Sequence, residues 1–291
     1  MDTHTLQAFV TVAESGSFSI AAQQLFLTQS AVSKRIAQLE DQLDSRLFDR
    51  IGRKITLTEP GATLLPKARK ILLELKDAKR SLSNLSGEVS GTLAVAASHH
   101  ISLHRLPPIL RRFTHDYPEV QLDLRFKESE IAYDGVLRGD IEIALITLSP
   151  HPDKNIKSDT IWNDRLCYVV ANDHPLASKP EISLEELTGY NAILSGRSTF
   201  TRQIVEDQFA RLGLELNVSM STNYLDTIRM MVEVGLGWSL LPETMTASGL
   251  TTLEVEAEPV TRYLGYITHR ERTLSNAARR FIEMLKDEKG S

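Results

Sequence analysis

Small hydroxyl and amide side chains stand where apolar runs end in the C-terminal two-thirds of the sequence. Five of them follow predicted strands directly or within a few residues: Ser98, Thr147, Ser195, Thr199 and Asn223. In open α/β sheets, ligands bind at the carboxyl ends of strands, where helix N-termini supply backbone N–H groups. Hydroxyl and N–H groups suit a small anion, so we predict a carboxylate site, with sulfate and phosphate as alternatives. Each residue taken alone also fits an ordinary helix cap.

Three histidines form a second cluster, at positions 99, 100 and 104. His100 and His104 are four residues apart, so a helix would place both on one face, a spacing that metal ligands use. No HExxH pattern accompanies them, and Cys167 is the sole cysteine, so we predict no metal site. His99 and His100 are candidates for contact with the anion, and solvated or core histidines are the alternative. Cys167 lies mid-strand and is interpreted as a small buried side chain.

Motifs of catalytic and nucleotide-binding sites are absent from the sequence. It contains neither a P-loop nor a G-x-S-x-G turn, and the Gly235-Leu236-Gly237 run lacks the third glycine of a dinucleotide loop. We therefore expect no enzymatic activity and no cofactor.

A helix predicted to begin after Thr28 has an apolar stripe and an opposite polar face. The stripe consists of Val32, Ile36, Leu39 and Leu43. The opposite face carries small or polar side chains, namely Ser30, Ser33, Lys34 and Ala37. Such a face can enter a DNA major groove closely, with Gln29 reaching a base edge and Arg35 meeting phosphate. The alternative for these residues is a solvated helix face.

Two shorter helices and a β-wing are expected to position this helix within residues 1–58. Gly16 should end the first helix, and Ser17 or Ser19 can cap the second. Residues 46–58 lack a helical period, and Ile55 and Leu57 alternate after a turn at 51–53. The region is therefore expected to be an all-α winged helix-turn-helix domain.

A long linker helix with a heptad seam is predicted over residues 59–90. Its apolar positions are spaced alternately four and three apart, and the dimerisation residues proposed are Leu64, Ala68, Ile71, Leu75, Ala78 and Leu82. The alternative is one long helix lying on its own domain.

Residues 91–291 alternate between strands and helices, including a helix over 103–115 and a strand over 166–171. This alternation predicts an α/β domain with a largely parallel sheet. Its length favours two lobes around a cleft, one of about 91–162 plus 268–291 and the other of 163–267.

The 291 residues are 42% hydrophobic and 24% charged, a composition that excludes a largely disordered chain. The charge is distributed unevenly along the sequence. Residues 31–80 hold 12 Lys and Arg against seven Asp and Glu, whereas residues 91–291 hold 21 against 28. A basic N-terminal region on an acidic C-terminal region is typical of DNA-binding proteins.

The N-terminus has Asp2 and no basic residue before Lys34, so it does not resemble a secretory signal. We therefore expect a cytoplasmic protein without a membrane span.

The sequence resembles the LysR-type transcriptional regulators. The run at 25–61, LFLTQSAVSKRIAQLEDQLDSRLFDRIGRKITLTEPG, is similar to the family's winged helix-turn-helix. Similarity continues through GTLAVAAS (91–98), YPEVQL (117–122), GDIEIAL (139–145) and VGLGWSLLP (234–242). Two positions depart from the family pattern, since Ser30 stands where the family usually has Pro and Asp44 where it usually has Gly. Asp is tolerable there because it visits left-handed conformations.

The resemblance implies a homodimer or homotetramer that binds double-stranded DNA at an interrupted palindrome. The residues expected to contact DNA are Thr28, Gln29, Ser30, Ser33, Lys34, Arg35, Arg50 and Arg53. The C-terminal domain would resemble two-lobed periplasmic binding proteins and hold a small effector in its cleft. The residues expected to contact the effector are Ser98, His99, His100, Thr147, Ser195, Thr199 and Asn223. A solute-binding protein or an α/β enzyme with a fused DNA-binding head is the alternative.

Overall fold

A computed structural model describes residues 1–51, 54–246 and 249–289. The chain divides into two compact units, Met1–Ser86 and Gly87–Ser291. None of the helices within these described ranges combines the length and the apolar character that a membrane span requires. The predicted limits at residues 58 and 90, and those of the two lobes, stay predictions.

The first unit consists of helices followed by a β-hairpin and one long helix. Its elements are α1 (Thr3–Ser15), α2 (Phe18–Gln24), α3 (Gln29–Leu43), β1 (Phe48–Ile51), β2 (Lys54–Leu57) and α4 (Glu59–Asn84). The fully buried Phe9 and Val32 belong to its core. The Phe9 ring lies 5.4 Å from that of Phe48, which joins the hairpin to the helices. The predicted winged helix-turn-helix fold is confirmed.

Local caps set the boundaries of these helices. The Ser17 hydroxyl accepts a hydrogen bond from the Ile20 N–H, and α1 ends at Gly16, whose φ of 63° is left-handed. Asp44 ends α3 with a φ of 47° and is likewise left-handed. A turn glycine would adopt this conformation easily, and Asp is among the few other residues that tolerate it.

Helix α4 is continuous from Glu59 to Asn84, and the two parts of its apolar seam have different surroundings. Ala68 is fully buried and packs, with Leu72, on the core of its own unit. Ile71 and Leu75 are each 41% exposed, and Leu82 is 69% exposed. Because Ala68 is covered within its own chain, the seam available to another chain begins at Ile71.

The second unit has the mixed α/β composition that the sequence predicts. Its helices are α5 (His99–His104), α6 (Leu106–Asp116), α7 (Ser129–Arg138), α8 (Leu184–Thr188), α9 (Phe200–Ala210), α10 (Leu225–Glu233) and α11 (Asn276–Asp287). Its strands are β3 (Gly91–Ala97), β4 (Val120–Phe126), β5 (Ile143–Thr147), β6 (Ile156–Ala171), β7 (Ala192–Leu194), β8 (Val218–Ser221), β9 (Ser239–Pro242), β10 (Leu250–Thr252) and β11 (Val260–His269).

The main sheet is mixed, so the prediction of a largely parallel sheet was wrong. Its strand order is β10-β6-β11-β5-β3-β4, with β9 also pairing with β6. Only β3 pairs in parallel, with β4 and β5, whereas β6 pairs antiparallel with β9, β10 and β11. The alternation of strands and helices did not reveal this, because β11 enters the sheet between β5 and β6 and runs antiparallel to both.

Two long strands connect two hydrophobic cores. Strands β6 and β11 pair from Leu166 opposite Val260 to Ile156 opposite His269. At one end their side chains join the core around Phe113 and Phe281, and at the other end the core around Trp238. The unit therefore has two packed regions that share a pair of strands.

The predicted helix over 103–115 is two helices, because the chain breaks at Arg105. Pro107 and Pro108 lack N–H donors and fit only the first turn of a helix. Helix α6 accordingly starts afresh at Leu106, and α5 ends at His104. All three clustered histidines thus lie on one short helix, which begins just after β3 at His99 and ends at His104.

Candidate DNA-binding surface and effector cavity

The start of α3 presents four of the eight predicted DNA-contacting side chains to the surface. The Thr28 hydroxyl caps the helix by accepting from the Ala31 N–H at 3.2 Å. Gln29, Ser30 and Lys34 are exposed. Ser19 Oγ lies 3.3 Å from Gln29 Oε1 and can donate to it. Ser33 and Arg35 are half-buried, so they offer less surface to a partner.

The hairpin of β1 and β2, which we call the wing, is attached to α3 and α4. The Glu40 carboxylate accepts hydrogen bonds from the N–H groups of Leu47 at 2.7 Å and Phe48 at 3.3 Å. A Cβ at Gly61 would lie 2.2 Å from the Leu47 carbonyl oxygen, so this close approach requires glycine. The backbone of the predicted Arg50 pairs with Ile55, and the predicted Arg53 lies outside the described residues.

A cavity of about 380 Å³ in the second unit brings together all seven predicted effector-contacting residues. Those residues are Ser98, His99, His100, Thr147, Ser195, Thr199 and Asn223. The volume is within the range of small-molecule sites. Residues that sequence analysis did not select also line it, among them Lys127, Glu128, Glu130, Thr201, Tyr224, Asp226 and Arg262.

Four helices begin at this cavity. Lining residues include His99 in the first turn of α5, Glu130 in that of α7, Thr201 in that of α9 and Leu225 in that of α10. Within the described ranges, the starts of α5, α7 and α10 have no side-chain cap. The expectation that Ser98 caps α5 was therefore wrong, because its hydroxyl makes no such bond. The positive ends of several helix dipoles meet at one place, which favours a negatively charged group.

The start of α9 is occupied by groups of the protein itself. The Thr199 hydroxyl accepts from the Arg202 N–H at 3.1 Å and lies 2.8 Å from the Gly196 carbonyl oxygen. The Ser195 hydroxyl lies 2.9 Å from that of Thr199. The ordinary-cap interpretation therefore describes the bonding of Thr199 correctly, although Thr199 also lines the cavity.

Two carboxylates from the start of α7 reach loops of the other half of the unit. Glu130 Oε1 accepts from the Phe200 N–H at 2.6 Å, and Glu128 Oε1 accepts from Asn223 Nδ2 at 2.7 Å. Asn223 Oδ1 in turn accepts from the Gly196 N–H at 2.8 Å. Burial raises the pKa of the Glu130 carboxyl, and the hydrogen bond from Phe200 opposes this shift. Residues far apart in the sequence thus close one side of the cavity.

Arg262 is the main cavity residue that the sequence analysis missed. It is 4% exposed, and its Nε donates to Asp164 Oδ2 at 2.6 Å, directly across β11 and β6. Its Nη1 lies 3.5 Å from Thr201 Oγ1, and its buried Nη2 has no hydrogen-bond partner among the described residues. A signal was present, because Arg262 stands between Val260 and Leu264 on the inward face of a strand. Burial of a charged side chain at such a position costs free energy unless the charge is paired or binds a ligand.

The histidine cluster does not form a metal site in the described residues, where no group of three potential metal ligands occurs. The rings of His100 and His104 are 4.8 Å apart, and the His99 ring lies edge-on to Tyr224 at 5.4 Å. Burial and, next, the charge of Arg262 lower the pKa of His100 to about 3. His100 is therefore a neutral group in the cavity wall at physiological pH. Cys167 is half-buried, and burial raises the pKa of its thiol.

Comparison with known proteins identifies both units. A family model described as "LysR substrate binding domain" matches residues 86–290. A second, "Bacterial regulatory helix-turn-helix protein, lysR family", matches residues 3–62. The chain belongs to the LysR family of transcriptional regulators. It is a DNA-binding regulator with an effector-binding domain, and its relatives are regulators rather than enzymes.

This LysR-type regulator is similar to proteins along its whole length. The HTH-type transcriptional regulator YeiE of Escherichia coli (strain K12) is 32% identical over 283 residues, which cover 96% of this chain and 94% of YeiE. Full-length CbnR complexed with its target DNA has a TM-score of 0.63 and 22% identity, covering 99% of this chain and all of CbnR. The effector-binding domain of QuiR in complex with shikimate has a TM-score of 0.62 and 16% identity, covering 69% of this chain and 97% of QuiR's. The two structural likenesses show the fold.

Proposed function

We propose that this regulator binds an interrupted palindrome in double-stranded DNA as a homodimer or homotetramer, and that a small anion in the cavity switches its activity. The DNA-contacting set is the exposed start of α3 together with Arg35, Arg50 and Arg53. The oligomer forms through the exposed seam of α4, from Ile71 to Leu82. A paired arrangement of heads matches a palindrome because each head reads one half-site.

The observation that carries the proposal of an anionic effector is the buried Nη2 of Arg262. A guanidinium nitrogen without a partner in a buried site is costly unless a ligand completes its hydrogen bonds. Carboxylates fit guanidinium groups well, since both are planar and can share two hydrogen bonds. The uncapped helix starts around the cavity act in the same direction. QuiR, whose effector domain has the same fold, is described with shikimate, which is a carboxylic acid.

A pair of arginine variants tests this assignment. Arg262→Lys keeps a positive charge beside Asp164 but removes the guanidinium group, with its Nη2 atom, from the residues that line the cavity. Arg202→Lys is the matched control, because Arg202 is also buried, also has an unpartnered nitrogen, and does not line the cavity. The full-length proteins are screened by thermal shift against small carboxylates, sulfate and phosphate.

We expect at least one carboxylate to stabilise the unmodified protein and the Arg202 variant equally. Loss of a hydrogen bond to a charged group costs about 1.5–3 kcal/mol, so the same ligand should bind the Arg262 variant roughly tenfold or more weakly. Equal stabilisation of both variants would remove Arg262 from the site. A screen in which no anion stabilises the unmodified protein would contradict the anionic effector itself.

A further inference from the structure

A carboxylate of the protein itself occupies the start of helix α9. We call this helix start, where backbone N–H groups could bind an anion, an anion seat. The first N–H groups of a helix normally lack partners and attract anions. At α9 the Phe200 N–H donates to Glu130 Oε1 at 2.6 Å, while the Thr199 hydroxyl accepts from the Arg202 N–H. Glu130 is half-buried and belongs to α7, 70 residues earlier in the chain. It holds the position that a ligand carboxylate would otherwise take.

The remaining charges of the cavity wall limit how much negative charge a ligand can bring. The wall has two cationic side chains, Lys127 and Arg262, against the carboxylates of Glu128, Glu130 and Asp226. Arg262 is already paired with the buried Asp164 at 2.6 Å. One negative group can be accommodated beside Arg262, which lines the cavity and whose Nη2 has no hydrogen-bond partner among the described residues. A second negative group on the same small ligand would meet carboxylates in a confined site, where like charges repel more strongly than in water.

We propose that Glu130 restricts the effector to a single negative charge by occupying the α9 start itself, so the cavity selects monocarboxylates over dicarboxylates of the same length. The proposal rests on the proposed function, since it assumes that a carboxylate binds at Arg262. Glu130 is a specificity-determining residue because it removes a second anion seat that the fold would otherwise supply. Its removal should create that seat.

Matched acids provide the probes for this proposal. Butyrate and succinate have the same carbon chain and differ by one carboxylate, as do valerate and glutarate. Their dissociation constants are measured by calorimetry at constant ionic strength, on the full-length protein and its variants. Glu130→Ala vacates the start of α9, whereas Glu130→Gln removes the charge and leaves a side chain that can still accept from the Phe200 N–H.

A third variant separates the occupied seat from general electrostatics. Glu128→Gln also removes one carboxylate from the cavity wall, but its contact is with Asn223 and not with the start of α9. It should favour the dicarboxylate by less than Glu130→Ala does, because it lowers the general repulsion without freeing the Phe200 N–H. Glu130→Ala should instead raise the affinity for the dicarboxylate by about tenfold or more, with a smaller change for the monocarboxylate. Glu130→Gln should give a smaller gain than Glu130→Ala.

Each result supports or overturns the proposal. Preference for the monocarboxylate in the unmodified protein, with gain of the dicarboxylate in Glu130→Ala, supports it. Equal affinity for both acids in the unmodified protein overturns it, as does a Glu130→Ala variant without the gain. If the acids bind, and Arg262→Lys weakens them, but Glu130 has no influence, the proposal fails and the proposed function stands. If no acid binds any of these proteins, both fail. Melting curves without ligand confirm that each variant is folded.

Discussion

The two units of the chain offer their functional side chains in opposite ways. At the start of α3, Gln29, Ser30 and Lys34 are exposed, and their bonds within the chain are few and local. Around the cavity, Glu130 and Asn223 bond to residues 70 and 27 positions away, respectively. The first unit exposes polar side chains that can contact a partner directly. In the second unit, the polar groups around the cavity already form hydrogen bonds with one another.

This difference has a consequence for how each unit recognises its partner. A DNA duplex can add contacts to α3 without breaking contacts of the protein. A ligand in the cavity can bind a group that has no partner in the described part of the chain, such as Arg262 Nη2, or displace an internal partner, such as Glu130. Displacement of an internal bond changes contacts that link distant parts of the unit, which is how binding can favour a different conformation.

The largest effect is expected when the α4 seam is broken. Ile71→Glu places a charge at an exposed apolar position and should separate the two copies. Because the heads then bind DNA independently, affinity for a palindromic site should fall by about 10²- to 10⁴-fold. Ser83→Glu adds the same charge to an exposed position of α4 outside the seam and is the control. Mass in solution and DNA affinity are measured for both variants. An unchanged mass together with unchanged affinity in Ile71→Glu would contradict the seam.

The second expected effect distinguishes base readout from backbone contact within the first unit. Gln29→Ala should weaken specific binding by about 1–3 kcal/mol and leave non-specific binding nearly unchanged. Arg53→Ala should weaken binding to all sequences and flatten its salt dependence. Fluorescence anisotropy on specific and random duplexes, at two salt concentrations, measures both quantities. Equal losses on the two duplexes for Gln29→Ala would place Gln29 outside the base contacts.

The features of the fold and the site that the sequence predicts are those that depend on residues close together in the chain. The caps at Gly16, Ser17, Thr28 and Asp44 involve residues within a few positions. The sequence predicts Gly16 and Thr28, gives Ser17 with Ser19 as its alternative, and indicates Asp44 through the resemblance to the family. Strand ends were also located well enough to gather the seven predicted residues around one cavity. The rule that parallel strands end at the same edge holds within each sheet, since β3 and β5 are parallel in the main sheet and β7 and β8 are parallel in the small one.

Features that depend on long-range pairing were missed. The antiparallel β6 and β11 were not expected, so the position of Arg262 opposite Asp164, 98 residues away, could not be derived. The contact of Glu130 with the start of α9 was missed for the same reason. A glutamate in the first turn of a helix has an ordinary explanation in the dipole of its own helix, and only the fold shows that it serves another.

A smaller effect concerns acid sensitivity of the second unit. The pKa of His100 falls from 6.5 to about 3 on folding, under burial and the charges of Arg262, His104 and Arg105, with Asp226 opposing. Between these values the unfolded chain binds a proton that the folded chain does not, so stability falls as the pH drops below 6.5. The loss should be at most about 1.4 kcal/mol per pH unit.

The His100→Gln variant should lose less stability than the unmodified protein between pH 7.5 and pH 5.5. Both tryptophans, Trp162 and Trp238, lie in the second unit, so intrinsic fluorescence reports its unfolding. Urea titrations at the two pH values give the comparison. Parallel losses in both proteins would show that His100 is not the group responsible.

The smallest expected effect is a gain in stability of the first unit. Phe26 is 96% exposed and has a φ of 54°, a left-handed conformation that is costly for a bulky residue. Phe26→Gly should raise the free energy of unfolding by roughly 0.5–1 kcal/mol, since relief of the strain exceeds the entropy that glycine adds to the unfolded chain. Phe26→Leu keeps a bulky side chain and should give no gain. Circular dichroism during urea unfolding measures both variants, and equal stabilities would argue against strain at this turn.

The most direct test of the account joins the two units in one measurement. A duplex enriched by the unmodified protein from a random pool is titrated with and without the carboxylate that gives the largest thermal shift. We predict that the carboxylate changes DNA affinity for the unmodified protein and for Arg202→Lys, and has no such influence at the same concentration on Arg262→Lys. An equal change in all three proteins would contradict the claim that an anion at Arg262 controls DNA binding.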